Sequence, residues 1–345
     1  MDIYRKNVFC RFQWYFHSSL NDLVCVNQTF AGPVVDVSSE DTIVFMTKGT
    51  GEPGILSSNE IYPLYIGCSL PPSYGSWYAH ALLTTQEPKP RIASCGGRDR
   101  GFYTASCLVF NQETQAWEKN IMSDLAQVRA YQPVVTLNNI GTYMIGGSGS
   151  VESHTTADFL EKGSLNWVGG PQLPMRMQYV CAVQIGPKSF LAMTGNDIRE
   201  YLVNMDNPVS DDGWQDVSKW PQLRTWRFYF GCTVINKKVV ITGGRGRSGE
   251  TIQSTEVLDL VTRRIEYAGD LNKPRHAFHT LTILSGGIER VLALGGCERQ
   301  PSEICHDSVE ELNEKSLIWS PAPDLLQKRA DYGAIAVPKS FICQT

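Results

Sequence analysis

Five arginines stand a few residues beyond paired glycines: Arg98 and Arg100 after Gly96-Gly97, Arg245 and Arg247 after Gly243-Gly244, and Arg299 after Gly295-Gly296. Guanidinium groups gathered on one surface grip carboxylates through bidentate hydrogen bonds, so the chemistry they suit is capture of an acidic peptide or another anion. A second set, Arg129, Arg176, Arg224, Arg227, Arg275 and Arg329, precedes short apolar runs. Its regular recurrence assigns it to bracing the chain rather than to binding.

Other chemistry is poorly supplied. The six histidines, His17, His80, His154, His276, His279 and His306, show no metal-ligand spacing, and His80, His279, Cys181 and Cys232 read as a shared packing slot. There is no G-x-S-x-G, no H-E-x-x-H and no carboxylate pair spaced for acid/base work, so no catalytic residue is assigned. Gly244-Arg-Gly-Arg-Ser-Gly249 matches a dinucleotide fingerprint, but the segment from Ser254 to Leu260 reads as another strand rather than the helix a pyrophosphate needs. Ten cysteines include no C-x-x-C, which excludes zinc-ribbon and thioredoxin readings.

The elements that position these residues repeat. Apolar runs end in glycine at Gly49, Gly97, Gly147, Gly195, Gly244 and Gly296, in steps of 48, 50, 48, 49 and 52 residues. The final glycine is doubled at Gly96-Gly97, Gly146-Gly147, Gly243-Gly244 and Gly295-Gly296, and single at Gly195. An aromatic keeps phase with it: Trp117, Trp167, Trp214, Tyr267 and Trp319. An apolar residue stands seven before four of these, in the pairs Phe110 and Trp117, Leu160 and Trp167, Leu260 and Tyr267, and Leu312 and Trp319. Turn-like residues between the members of each pair predict a tight β-hairpin. Each unit therefore reads as four short strands.

Units of this length, with a double glycine and a spaced aromatic, resemble kelch repeats, and the resemblance covers nearly the whole chain. It implies an all-β fold, a kelch-type β-propeller forming a single domain over residues 1–345. Seven four-stranded blades are expected: six complete, with repeats ending near residues 49, 97, 147, 195, 244 and 296, and one closed by strands from residues 1–14 and 330–343. Six blades with frayed ends is the alternative. In such a ring, glycine permits close backbone approach and the outer-strand aromatic seals neighbouring blades. Loops joining second to third strands share one face with the inter-blade loops, and that face carries the glycine-adjacent arginines. Cys95 with Cys107, and Cys297 with Cys305, are hairpin partners that would bridge if oxidised, with buried reduced thiols the equal alternative.

The resemblance implies binding rather than catalysis: a non-enzymatic module that holds a protein or peptide partner on its loop-bearing face, with no cofactor. A secreted, disulfide-stapled relative is the alternative, as are a substrate adaptor of a cullin ubiquitin ligase, should the chain be a fragment, and, least favoured, a copper oxidase of the galactose oxidase type. With 31 basic and 35 acidic residues the net charge of −4 is too near neutrality for a whole-domain nucleic-acid or membrane-surface binder. No apolar run reaches the roughly 18 residues of a membrane span. A cytoplasmic location is expected for the sequence as it stands, and an extracellular one should a signal peptide precede it.

Overall fold

In the computed structural model, residues 41–339 are described apart from 48, 51–59, 64–76, 86–89, 112, 115, 151–153 and 300–301, all within one unit, Val37–Thr345. Short, near-continuous apolar runs ending in glycine, such as Thr42–Met46 and Lys238–Thr242, suit strands packed on both faces. They form six antiparallel sheets arranged as propeller blades. Blade II runs Ala81–Thr84, Ile92–Cys95, Cys107–Asn111 and Ala116–Glu118 from the inside outwards. Blade III follows with Val134–Leu137, Gly141–Ile145, Thr156–Glu161 and Trp167–Gln172. Blade IV has Cys181–Gly186, Ser189–Thr194 and Asp197–Leu202, with Trp214 bridged to Tyr201 in place of a full outer strand. Blade V uses Gly231–Ile235, Lys238–Thr242, Thr255–Asp259 and Ile265–Tyr267, and blade VI His279–Ser285, Ile288–Leu294, Val309–Asn313 and Ile318–Ala322. Among the described residues, no helix is long and apolar enough to cross a membrane.

Blade I decides the ring size. Its second and third strands are Thr42–Met46 and Glu60–Tyr62, and its inner strand is Ala334–Pro338 from the far end of the chain. Five residue pairs, from Thr42 opposite Pro338 to Met46 opposite Ala334, knit the closure. Ala334–Pro338 also contacts the inner strands of blades II and VI, so six inner strands close on themselves. The ring therefore has six blades and not the seven preferred from spacing. The strand assigned to a seventh blade instead completes the first. The terminal segments Met1–Tyr4, Cys10–Trp14 and Ser340–Cys343 expected in that seventh blade lie outside the described residues.

Six apolar clusters occupy the six seams between blades. The seven-residue spacing is explained by register: Phe110 faces Trp117, Leu160 faces Trp167 and Leu312 faces Trp319 directly across a strand pair. Trp117, Trp167, Trp214 and Trp319 each pack into the seam with the preceding blade. Tyr267 does not. It is 53% exposed, and the pair that meets across blade V is Leu258 with Ile265, two residues earlier, with Ile265 filling the seam.

Buried ion pairs rivet entering segments to the blades they enter. Arg129, Arg227, Arg275 and Arg329 are fully buried at equivalent positions of the entering segments. Arg275 Nη1 donates to the carbonyls of Gly295 (2.7 Å) and Ser308 (2.9 Å), and Nη2 pairs with Glu310 at 2.6 Å. Arg227 repeats this with Gly243, Ser254 and Glu256, Arg129 with Gly146, Thr156 and Asp158, and Arg329 with Thr47 and Glu60. The same carboxylates accept backbone N–H groups of the entering loop, as Glu256 does from Arg224 and Thr225. Burial pushes the Asp158 and Glu60 carboxyls above their ordinary range, and the arginine opposite each pulls it back. Blades II and IV show the converse: the entry positions are Trp77 and Met177, and the acid's place is taken by Leu108 and Arg199. Arg176 and Arg224, grouped with this set by sequence, are exposed and stand outside the repeat.

Two glycines show why the doublet is required. Gly146 and Gly147 have φ of 58° and 92°, in the left-handed region, and a Cβ on Gly146 would stand 2.1 Å from the Met177 carbonyl oxygen. The close approach is thus to the segment entering the next blade, where Gly147 N–H donates to that same carbonyl.

Candidate functional site

Each chain segment entering a blade turns into the channel through one residue in the left-handed region. These are Ala79, Tyr131, Tyr179, Tyr229, Ala277 and Asp331, with φ between 50° and 59°. Backbone hydrogen bonds link many of them around the axis: Ala79 N–H to Asp331 (2.6 Å), Tyr131 to Ala79 (3.0 Å), Ala277 to Tyr229 (3.1 Å) and Asp331 to Ala277 (3.1 Å). All six line the mouth of the central cavity, about 220 Å³, on the face where the second-to-third-strand loops meet the entry segments.

The mouth is lopsided. Blades III, IV and V contribute three tyrosines: Tyr179 and Tyr229 stack with ring centroids 3.7 Å apart, and Tyr131 meets both edge-on at 5.3 and 5.7 Å. Blades VI, I and II contribute Ala277, Asp331 and Ala79, so that among the described residues that half of the mouth carries two small side chains and one carboxylate. Burial raises Asp331 to about 7, with Glu303 pushing the same way and Arg98 opposing. Tyr229 is raised chiefly by burial and then by its hydrogen bond to Tyr179.

From the tyrosines an aromatic track runs outward through Phe228, 5.5 Å from Tyr229, to Trp226, 5.5 Å from Phe228. Arg245 lies over Phe228 at 5.6 Å and Arg247 over Trp226 at 5.4 Å. Such stacking holds a guanidinium flat while leaving its edge open to hydrogen-bond an anion. His276 sits 6.2 Å from Tyr229 and 3.4 Å from Glu303, and burial holds its imidazole below the ordinary range.

The arginines expected to bind are thus spread round the rim rather than gathered. Arg245 and Arg247 share the aromatic track. Arg98 donates to the Gly101 carbonyl (2.8 Å) and covers Tyr103 on the blade II hairpin. Arg100 is exposed at the tip of that hairpin and Arg299 on the blade VI loop, whose backbone N–H donates to Thr251 Oγ1. The Gly244–Gly249 fingerprint is a loop between antiparallel strands, Lys238–Thr242 and Thr255–Asp259.

Cys95 is bonded to Cys107 and Cys297 to Cys305, the two hairpin pairs. A third bridge, Cys181–Cys232, ties the inner strands of blades IV and V. The shared packing slot is not one register. Cys181 opens its inner strand, Cys232 stands second in the next, and His80 precedes the inner strand of blade II whereas His279 opens that of blade VI. Among the described residues, no group of three His, Cys, Asp or Glu side chains is placed to hold a metal ion.

No protein-family model matches the chain, and no curated protein matches it.

Sequence reasoning missed the aromatic mouth, although its signal is present. Tyr131, Tyr179 and Tyr229 each stand two residues after the blade-entry position, in phase, and the other units carry Ala79, Ala277 and Asp331 there. A position that keeps phase while changing chemistry marks a surface shared by all blades.

Proposed function

We propose that this propeller is of the kelch type and works as a protein-interaction module, without catalysis of its own, whose partner docks on the loop-bearing mouth. The observation that carries this reading is the track Tyr131, Tyr179, Tyr229, Phe228 and Trp226 with Arg245 and Arg247 laid over its outer end. Aromatic and arginine side chains dominate the energetic centres of protein interfaces, because they bury large areas at little entropic cost. Propeller loops carry such sites on a scaffold that does not move. The stacked guanidiniums favour a partner segment bearing carboxylates. The repeat markers supply the kelch assignment.

Three disulfides favour an oxidising compartment, where such bonds persist. The test is affinity enrichment with the intact chain beside a variant carrying Arg98, Arg100, Arg245 and Arg247 to Ala. Loss of a partner in the variant supports the rim reading, and unchanged recovery removes it.

A further inference from the structure

We infer that the open half of the channel mouth is a binding site for an organic cation, its ammonium or guanidinium head set against the Asp331 carboxylate and facing the tyrosines of blades III to V. This goes beyond the docking reading; it shares the tyrosines of that track but stands without it, since it is carried by Asp331 and the cavity, and its ligand has the charge opposite to the one the rim arginines suit.

The geometry is that of a built pocket. Asp331 is held in the left-handed region by its place in the backbone belt, accepting from Ala79 N–H and donating to the Ala277 carbonyl, so its position is fixed before any ligand arrives. Ala277 and Ala79 flank it, and their small side chains leave the space that tyrosines fill on the other side. Among the described residues no donor reaches the Asp331 side chain, which stands half-buried in the mouth. A carboxylate in such surroundings takes up either a proton or a cation. Its charged surroundings are Glu303, which adds negative potential, and Arg98, which subtracts some while donating to Gly101. Tyr229 is near enough to feel the Asp331 charge.

The opposite wall suits the same guest. A ring face attracts a cation through its quadrupole, and Tyr131, Tyr179 and Tyr229 all line the cavity. The cavity, about 220 Å³, continues below between Gln132, Val180, Phe230 and His279 and admits a chain the length of a lysine or arginine stem behind its head. A free amine and a basic side chain of a partner share this chemistry.

The test is titration calorimetry on the full chain at pH 8 with n-butylammonium, with 1-butanol as its neutral counterpart, and with the blocked peptide acetyl-Gly-Lys-Gly-amide. Butylammonium is expected to bind at least tenfold more tightly than butanol, and Asp331→Asn to remove that difference. Tyr179→Leu is expected to weaken the ammonium several-fold more than the alcohol. Binding of peptide and amine alike makes a side chain from a partner segment a sufficient guest; binding of the amine alone restricts the site to free amines. Equal affinity for butanol and butylammonium on the unaltered chain overturns the inference without recourse to any variant. So does undiminished ammonium binding by an Asp331→Asn protein that keeps the circular dichroism of the unaltered chain and melts cooperatively.

Discussion

Arg275 Nη2 stands 2.6 Å from Glu310 Oε1 with both side chains sealed from solvent, and the same guanidinium holds the Gly295 carbonyl that ends the second strand of blade VI. One side chain thereby ties the entering segment to the strand ends it passes. Removing one partner leaves a buried charge uncompensated. Arg275→Met or Glu310→Gln alone is expected to cost about 3–5 kcal/mol in urea denaturation. Arg275→Met with Glu310→Leu is expected to cost less than the two single losses added together. Single losses below about 1 kcal/mol would show that the rivet contributes little.

The bridge Cys181–Cys232 joins adjacent blades across 51 residues, unlike the two hairpin bridges. Replacing both cysteines with serine is expected to lower stability by about 2–4 kcal/mol, read from denaturant midpoints under oxidising conditions. In unfolded, unreduced protein, Cys95, Cys107, Cys181, Cys232, Cys297 and Cys305 are expected to resist alkylation. Peptide mapping that finds these six alkylated without reductant contradicts the bridges.

Asp331 links stability to pH. Its carboxyl is raised from 3.8 to about 7 by burial, with Glu303 adding, Arg98 subtracting and Tyr229 nearby. The folded state therefore keeps a proton that the unfolded chain gives up, and the stability this confers is whole below about pH 4 and lost as pH rises towards 7. Asp331→Asn is expected to raise the melting temperature at pH 8, with the gain shrinking on acidification and vanishing near pH 4. A gain independent of pH would show that Asp331 ionises as an ordinary surface carboxylate.

Burial of His80 lowers its imidazole to about 3 and that of His306 to about 4. Both folded values lie below that of the unfolded chain, so their contribution is present above about pH 6.5 and lost as pH falls. His306→Gln is expected to flatten acid unfolding between pH 6.5 and 4, as followed by tryptophan fluorescence. An unaltered acid limb would assign that loss to other groups.

The blades were legible because each marker answers a local steric or packing demand. Gly146 must accept a positive φ against the Met177 carbonyl, and Trp167 must lie seven residues from Leu160 to meet it across a hairpin. Ring size was not legible from the period, since spacing along the chain does not say which strand Thr42–Met46 will choose, and Ala334–Pro338 takes that edge. Likewise Cys181 and Cys232 become neighbours only once two inner strands stand side by side. The rim arginines were visible as charges in loops. The tyrosines they adjoin were hidden, because ordinary aromatic residues beside a strand look like core until the channel is seen. Arg129, Arg227, Arg275 and Arg329 were correctly read as bracing, but their acidic partners lie too far along the chain for spacing to pair them.

Docking of a partner on the loop-bearing mouth, the central claim, is tested most directly by site-specific photocrosslinking. Benzoylphenylalanine is placed at Phe102, 79% exposed on the rim, and in separate proteins at Val261 (72%), on a turn of the opposite face, and Ile288 (62%), at the strand start beside another turn of that face. A partner adduct is expected from position 102 that excess unlabelled protein competes away, and none from 261 or 288. Adducts from 261 and 288 with none from 102 would contradict the claim.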